Sequence, residues 1–126
     1  MPDNADRSAA PSADRSVEAQ TWLREMAEIS NIPGFEAGMR MIDRPPGRAA
    51  SPHYHPDGHE WVYVASGCLA FRNGDQPEKR LCAGDTDYIA PNVVHWGYNT
   101  SDTEPVKLVL FYVKPVGAPL LVRTDA

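Results

Sequence analysis

The stretch Gly47–Gly67, GRAASPHYHPDGHEWVYVASG, decides how this chain folds. His53 and His55 are two residues apart, so on an extended strand both imidazoles leave the same face. Pro56-Asp57-Gly58 follows, a run that favours a tight turn through a fixed φ, an αL-tolerant side chain and a missing Cβ. Glu60 then opens a second run, His59–Ala65, rich in aromatic and β-branched residues that suit a pleated surface. A reversal at the turn returns Glu60 towards the histidine pair. Two imidazoles and one carboxylate on neighbouring strands are three candidate metal ligands, one short of a usual set.

A fourth stands downstream, in GDTDYIAPNVVHWGYN, Gly84–Asn99, where His95 begins a strand-like run after Pro91 and Asn92. In the first stretch a glycine, five residues, His-x-His, four residues, Glu, six residues and a glycine fall on Gly47, His53, His55, Glu60 and Gly67. That pattern resembles the first motif of the cupin superfamily, and Gly84, Pro91, His95 and Asn99 resemble its second. Ala90 stands where the second motif usually has proline, and Asn92 where it usually has glycine. Asn tolerates the left-handed conformation better than most residues, so the turn is expected to survive the exchange. The two motifs in order, with a short gap between them, are far more specific than either alone.

The resemblance implies an all-β, cupin-type jelly-roll barrel and a metal site built from His53, His55, Glu60 and His95. Three imidazoles and a carboxylate leave positions open on a first-row divalent ion; Fe, Mn, Ni, Co and Zn all accept the set, with Fe(II) favoured. Glu60 doubles as the candidate catalytic acid or base if it leaves the ion. The superfamily spans dioxygenases, isomerases, lyases, cyclases and non-catalytic binding proteins, so fold and ligands do not fix the reaction. The expectation is a metal-dependent enzyme acting on a small oxygenated organic molecule, first as an Fe(II)-type dioxygenase. The alternatives are a non-redox isomerase, lyase or cyclase, or a non-catalytic small-molecule-binding cupin.

Composition agrees with that frame. The 126 residues suit one domain, and twelve prolines with nine glycines favour short strands and turns over long helices. A formal charge of −5 argues against nucleic acid or an anionic membrane as partner. The start, MPDNADRSAAPSADRS, has no apolar segment, and the longest apolar run, Leu108–Val113, is too short to span a bilayer. A cytoplasmic location is therefore expected, and with it two free thiols at Cys68 and Cys82. If Asn73–Glu78 is the loop between their strands, Leu69 faces Cys82 and the two sulfurs lie on opposite faces.

Along the chain, residues 1–16 read as a flexible tail and residues 17–126 as one domain, with its motifs at 47–67 and 84–99. Ala19, Trp22, Leu23, Met26 and Ala27 recur at helical spacing behind Ser16, which predicts one short N-terminal helix. Phe35–Asp43 alternates, and further strands follow near 51–55, 60–65, 69–73, 80–83, 86–90, 95–99 and 106–113. Val106–Val113 is apolar on both faces apart from Lys107, the mark of a central strand. If Glu60 and His95 point inward, so do Val62, Val64, Gly97 and Asn99, while Trp61, Tyr63, Trp96 and Tyr98 point away. The outward aromatics predict a homodimer. Alternation also makes Arg40 and Tyr112 candidate substrate-binding residues, with either face open to each.

Overall fold

The computed structural model describes residues 20–124. Ten strands follow in order: β1 Gln20–Glu28, β2 Phe35–Arg44, β3 His53–Tyr54, β4 His59–Ser66, β5 Cys68–Asn73, β6 Lys79–Cys82, β7 Thr86–Ile89, β8 His95–Tyr98, β9 Val106–Pro115 and β10 Val122–Arg123. They form two five-stranded sheets, ordered β1-β2-β9-β4-β7 and β10-β3-β8-β5-β6, and every pairing is antiparallel. The two inner faces close over a core of Ile42, Val62, Val64, Leu69, Phe71, Leu81, Ile89, Val106, Leu108, Leu110 and Tyr112. β9 is the middle strand of its sheet, as its apolar run predicts. Its even-numbered side chains are buried, and between them Phe111 is exposed.

Two expectations need correction. Ser16 and the start of the expected N-terminal helix lie outside the described residues, as does the expected tail, while Gln20–Glu28 is a strand. It pairs with β2 from Gln20↔Asp43 to Glu28↔Glu36, with a bulge between Thr21 and Leu23. The bulge breaks strict alternation near the start of the strand. The open edge of β2 offers backbone hydrogen bonds that no local pattern reports.

The second correction concerns the cysteines. Cys68 and Cys82 form a disulfide, and their Cα atoms are 4.0 Å apart. The register runs Phe71↔Lys79, Ala70↔Arg80, Leu69↔Leu81 and Cys68↔Cys82. The hairpin is one residue out of step with the expected loop, and a one-residue slip reverses which side chains share a face.

Candidate metal centre

His53 and His95 are cross-strand partners on β3 and β8, and His55 follows just after β3, at the turn into β4. Glu60 rises from β4 in the opposite sheet. The centre therefore bridges the two sheets, closing one end of the core. Ring centroids of the three histidines stand 4.4 Å (His53–His95), 5.0 Å (His55–His95) and 5.3 Å (His53–His55) apart. One ring nitrogen of each lies within 4.8 Å of the others, a group that could hold a metal ion. Glu60 Oε1 is 2.9 Å from both His55 Nε2 and His95 Nε2. Two ligands at right angles on one first-row ion, with bonds of about 2.1 Å, also stand about 3 Å apart. The donor set fits such an ion.

The outer nitrogens fix the imidazoles. Nδ1 of His53 lies 2.7 Å from Ser51 O, that of His55 2.6 Å from Leu120 O, and that of His95 2.9 Å from Val93 O. A carbonyl oxygen only accepts, so in each ring Nδ1 donates and Nε2 is left to face the centre. Backbone partners of this kind orient metal-binding histidines and set their tautomer.

The turns that carry the ligands follow from particular residues. Asn92 adopts φ +67°, the left-handed conformation that its side chain tolerates in place of glycine. Gly67 sits at φ +83°, where an added Cβ would lie 2.9 Å from Pro105 O. Asn99 is fully buried. Its Nδ2 donates to Arg44 O and Glu104 O, and its Oδ1 accepts from Ser101 N, so it braces the end of β2 against the loop before β9.

Charge inside the cluster is set by burial and by Glu60. Burial, with His95 beside it, pushes His53 down to about 4, so it is a neutral donor near pH 7. Burial also opposes a charge on His55, but hydrogen bonding to Glu60 and the carboxylate's own charge outweigh it and raise His55 above its ordinary value. Burial would raise the Glu60 carboxyl as well; hydrogen bonds from His55 and His95 overcome that and hold it well below the usual carboxylate range. Burial pushes the Tyr112 phenol up, and the Glu60 charge adds to it.

Beside the centre lies a cavity of about 60 Å³, lined by His53, Glu60 and His95 together with Arg40, Arg44, Arg123 and Tyr112 and an aliphatic wall. Both residues singled out by alternation, Arg40 and Tyr112, reach it. Tyr112 pairs across the strands with Glu60, and its hydroxyl accepts from Arg40 Nη1 at 3.4 Å. Val62 and Gly97 line the cavity as expected, whereas Val64 packs in the core. Trp96, expected to point away, is half-buried and touches the cavity. Trp61, Tyr63 and Tyr98 are exposed. His59 turns from the centre: its Nδ1 is 2.7 Å from Tyr88 Oη, and its ring stacks with Trp61 and Tyr88.

Two lining residues escaped the sequence reading. Arg44 could have been found, since it shares strand parity with Arg40. Arg123 carries no local signal, because it reaches the cavity only through the pairing Arg123↔His53. The arginines also make the lining more polar than the small aliphatic set that alternation predicts.

The sequence matches the family model of the cupin domain over residues 40–112. None of the curated proteins matches it. Among solved structures, an uncharacterized conserved protein with a double-stranded β-helix domain from Klebsiella pneumoniae aligns with 94% of this chain and 98% of its own, at 23% identity and a TM-score of 0.62. The DMSP lyase DddQ from Ruegeria pomeroyi aligns at 20% identity and a TM-score of 0.59, covering 70% of this chain and 43% of that enzyme. An oxalate oxidase solved in complex with the substrate analogue glycolate aligns at 18% identity and a TM-score of 0.63, covering 92% of this chain and 61% of the other. This chain thus spans less than two thirds of either enzyme, and at such identities the likeness is one of fold. With the family model covering more than half of its length, including all four convergent side chains, the chain belongs to the cupin family.

Proposed function

We propose that this protein is a metal-dependent cupin enzyme acting on a small oxygenated organic molecule, with residues 17–126 as its single domain. His53, His55, Glu60 and His95 would hold the ion. The convergence of Glu60 Oε1 with two Nε2 atoms at 2.9 Å supports this reading, because it lies in the wall of a cavity rather than inside a closed shell of protein ligands. A bound first-row divalent ion (Fe, Mn, Ni, Co or Zn) would polarise substrate oxygens, and as Fe(II) would also activate dioxygen. Fe(II)-type dioxygenation is the leading reaction, since three imidazoles and one carboxylate leave room for both a substrate oxygen and dioxygen. In that role Ile42, Val62, Leu69 and Leu110 exclude water from the reacting atoms.

A second reading rests on Tyr112. Its phenol stays protonated beside Glu60, and Arg40 donates to its oxygen. A hydroxyl held that way can give a proton to a bound substrate, which favours a non-redox isomerase, lyase or cyclase. The deciding experiment loads the protein separately with Fe(II) and Zn(II) and follows dioxygen uptake and product formation over a panel of small hydroxy and keto compounds. Turnover that needs both Fe(II) and dioxygen supports the dioxygenase. Equal turnover with Zn(II) under anaerobic conditions supports the second reading, and binding without turnover under every metal supports a binding protein. If His95→Ala retains the metal as wild type does, the centre itself is refuted.

The outer face of the β1-β2-β9-β4-β7 sheet exposes Trp61, Tyr63, Tyr88 and Phe111, each by about two fifths. We propose that this face forms a homodimer; a monomer mass of 13.9 kDa by light scattering at micromolar concentration would refute it. Composition supports the cytoplasm as its location, and the Cys68–Cys82 bond supplies the test. A disulfide that stays oxidised in protein taken from intact cells under thiol-blocking conditions would argue for an oxidising compartment.

A further inference from the structure

We propose that residues 116–124, which follow β9, form a strap coupled to the metal centre, with Leu120 as a positioning residue. Docking of the strap sets His53 and His55 for the ion, the ion holds the strap closed, and release of the strap opens the cavity. The proposal rests on the reading of His53, His55, Glu60 and His95 as metal ligands.

The segment crosses from one sheet to the other. It leaves β9, in the middle of its sheet, through a turn in which Ala118 N donates to Pro115 O at 3.3 Å and Gly117 has φ +90°. It ends in β10, at the edge of the other sheet and beside β3. Between these points Leu120 O accepts from His55 Nδ1 at 2.6 Å. Further on, Val122 pairs with Tyr54, Arg123 pairs with His53, and Thr124 N donates to Pro52 O at 3.0 Å. The strap thus runs along one side of the stretch that carries two of the four ligands. On its other side β3 meets β8 at the single pair His53↔His95.

The two partners differ in burial. His55 is 3% exposed, whereas no residue from 116 to 124 is buried. Leu120 anchors the strap by packing, partly buried, against the core. An edge strand of two residues and a partly buried anchor have few interactions to lose, so the strap opens at a lower free energy than the sheets. Opening takes the carbonyl away from His55 Nδ1, and the tautomer that leaves Nε2 free is no longer selected. An ion bound at Nε2 selects the same tautomer from the other side of the ring. Ion and strap therefore favour each other, and linkage makes the effect reciprocal. Leu121 and Arg123 line the cavity, so opening also removes part of its wall.

The test is hydrogen exchange on the full chain with and without Zn(II), read by mass spectrometry and joined to competitive zinc titrations. Amides of residues 118–124 should exchange about tenfold more slowly with zinc, while the β5–β6 turn, residues 74–78, changes by less than about twofold. Leu120→Ala loosens the anchor and should weaken zinc binding about tenfold. Met26→Ala is the control, because it trims a β1 side chain that also packs partly buried against the core. It should lower the melting temperature and leave zinc affinity within about twofold of wild type. Thr124→Pro, at the exposed end of the strap, removes the N–H that bonds Pro52 O. This second variant should weaken zinc about threefold with the metal-free melting temperature unchanged. Strap amides that exchange equally with and without zinc overturn the proposal, as does wild-type zinc affinity in both strap variants. Either result, with zinc bound tightly by wild type, leaves the metal centre standing. A wild type that binds no zinc refutes the centre and the coupling together.

Discussion

Asn92 and Asp57 are bonded to each other twice. Asn92 Oδ1 accepts from Asp57 N at 3.0 Å, and Asn92 Nδ2 donates to Asp57 Oδ1 at 3.2 Å. Both residues have positive φ, +67° and +52°, and they stand in the turns that deliver His95 and Glu60. Asn92 N also donates to His55 O at 3.2 Å. One side chain thus ties together the two turns of the metal centre, a task that glycine, usual at this place in the motif, could not perform.

Replacement of Asn92 should therefore show two separable effects. Asn92→Gly keeps the left-handed backbone and loses only exposed hydrogen bonds, at a cost of about 1 kcal/mol or less. Asn92→Ala loses the same bonds and forces a Cβ into the left-handed region, for about 1–2 kcal/mol more. Urea unfolding of the metal-free proteins should rank wild type above Asn92→Gly above Asn92→Ala. Equal stability of the two variants would show that backbone conformation at Asn92 is not what the site depends on.

Metal binding should strengthen as pH rises. Each Nδ1 is committed to a backbone carbonyl, so a proton on His55 Nε2 competes directly with the ion. His55 is raised above 6.5 in the metal-free protein, and apparent affinity should climb until the pH passes that raised value. Stability of the metal-free fold has a different dependence. The His55 contribution is full below 6.5 and fades as pH rises through its raised value. The His53 contribution, with its pKa near 4, is full above 6.5 and is lost as pH falls from there towards 4, with the Glu60 contribution lost at still lower pH. Competitive zinc titrations and urea unfolding between pH 5 and 8 read the two separately; metal affinity flat across that range would refute the proton competition.

Much of this was legible because the information is local. The spacing of His53, His55 and Glu60 around Pro56-Asp57-Gly58 requires only two strands and a turn, and the strand boundaries from β2 to β9 fall within a few residues of those expected. The central place of β9 follows from the apolar character of both its faces. What escaped detection depends on pairing between distant segments. β1 has helical spacing but docks on the free edge of β2, Arg123 meets His53 only through β10, and the β5–β6 register is one residue out of step with the expected loop. That single residue separates two free thiols on opposite faces from a disulfide.

The disulfide should stabilise the β5–β6 hairpin mainly by restricting the unfolded chain. Its cysteines are 14 residues apart, and a loop of that length corresponds to about 3 kcal/mol in the chain-entropy account. The paired variant Cys68→Ser/Cys82→Ser, or reduction of the wild type, should lower stability by about 2–4 kcal/mol. Metal binding should persist, since no ligand lies on either strand. A loss below about 0.5 kcal/mol would show that cross-strand packing alone holds this edge.

Gly97 sets the width of the cavity. It lies on β8 two residues beyond His95, and an added Cβ would come within 2.8 Å of Leu69 Cδ2. Leu69 is 1% exposed, so it has little space to yield. Gly97→Ala should destabilise the protein by about 1–3 kcal/mol and weaken ligand binding through a narrowed cavity, while metal content stays near that of wild type. Unchanged ligand affinity would place the occupied part of the cavity away from β8.

Tyr112→Phe separates the two reactions proposed for the centre. The phenol is buried, pairs across the strands with Glu60, and accepts from Arg40. Removing its oxygen leaves the ring packed against His55, 5.2 Å away by centroid, so the fold should lose only about 1 kcal/mol. If Tyr112 moves a proton on the substrate, kcat should fall by about 10²–10⁴-fold with metal content unchanged. If the chemistry is dioxygen activation with Tyr112 as part of the wall, kcat should fall less than about tenfold and the change should appear mainly in KM. Dioxygen uptake and product formation by the variant, measured on the same loaded sample, distinguish the outcomes. A large loss of kcat together with preserved dioxygen uptake would assign Tyr112 to the coupling of uptake to product formation, and both simple readings of its role would then fail.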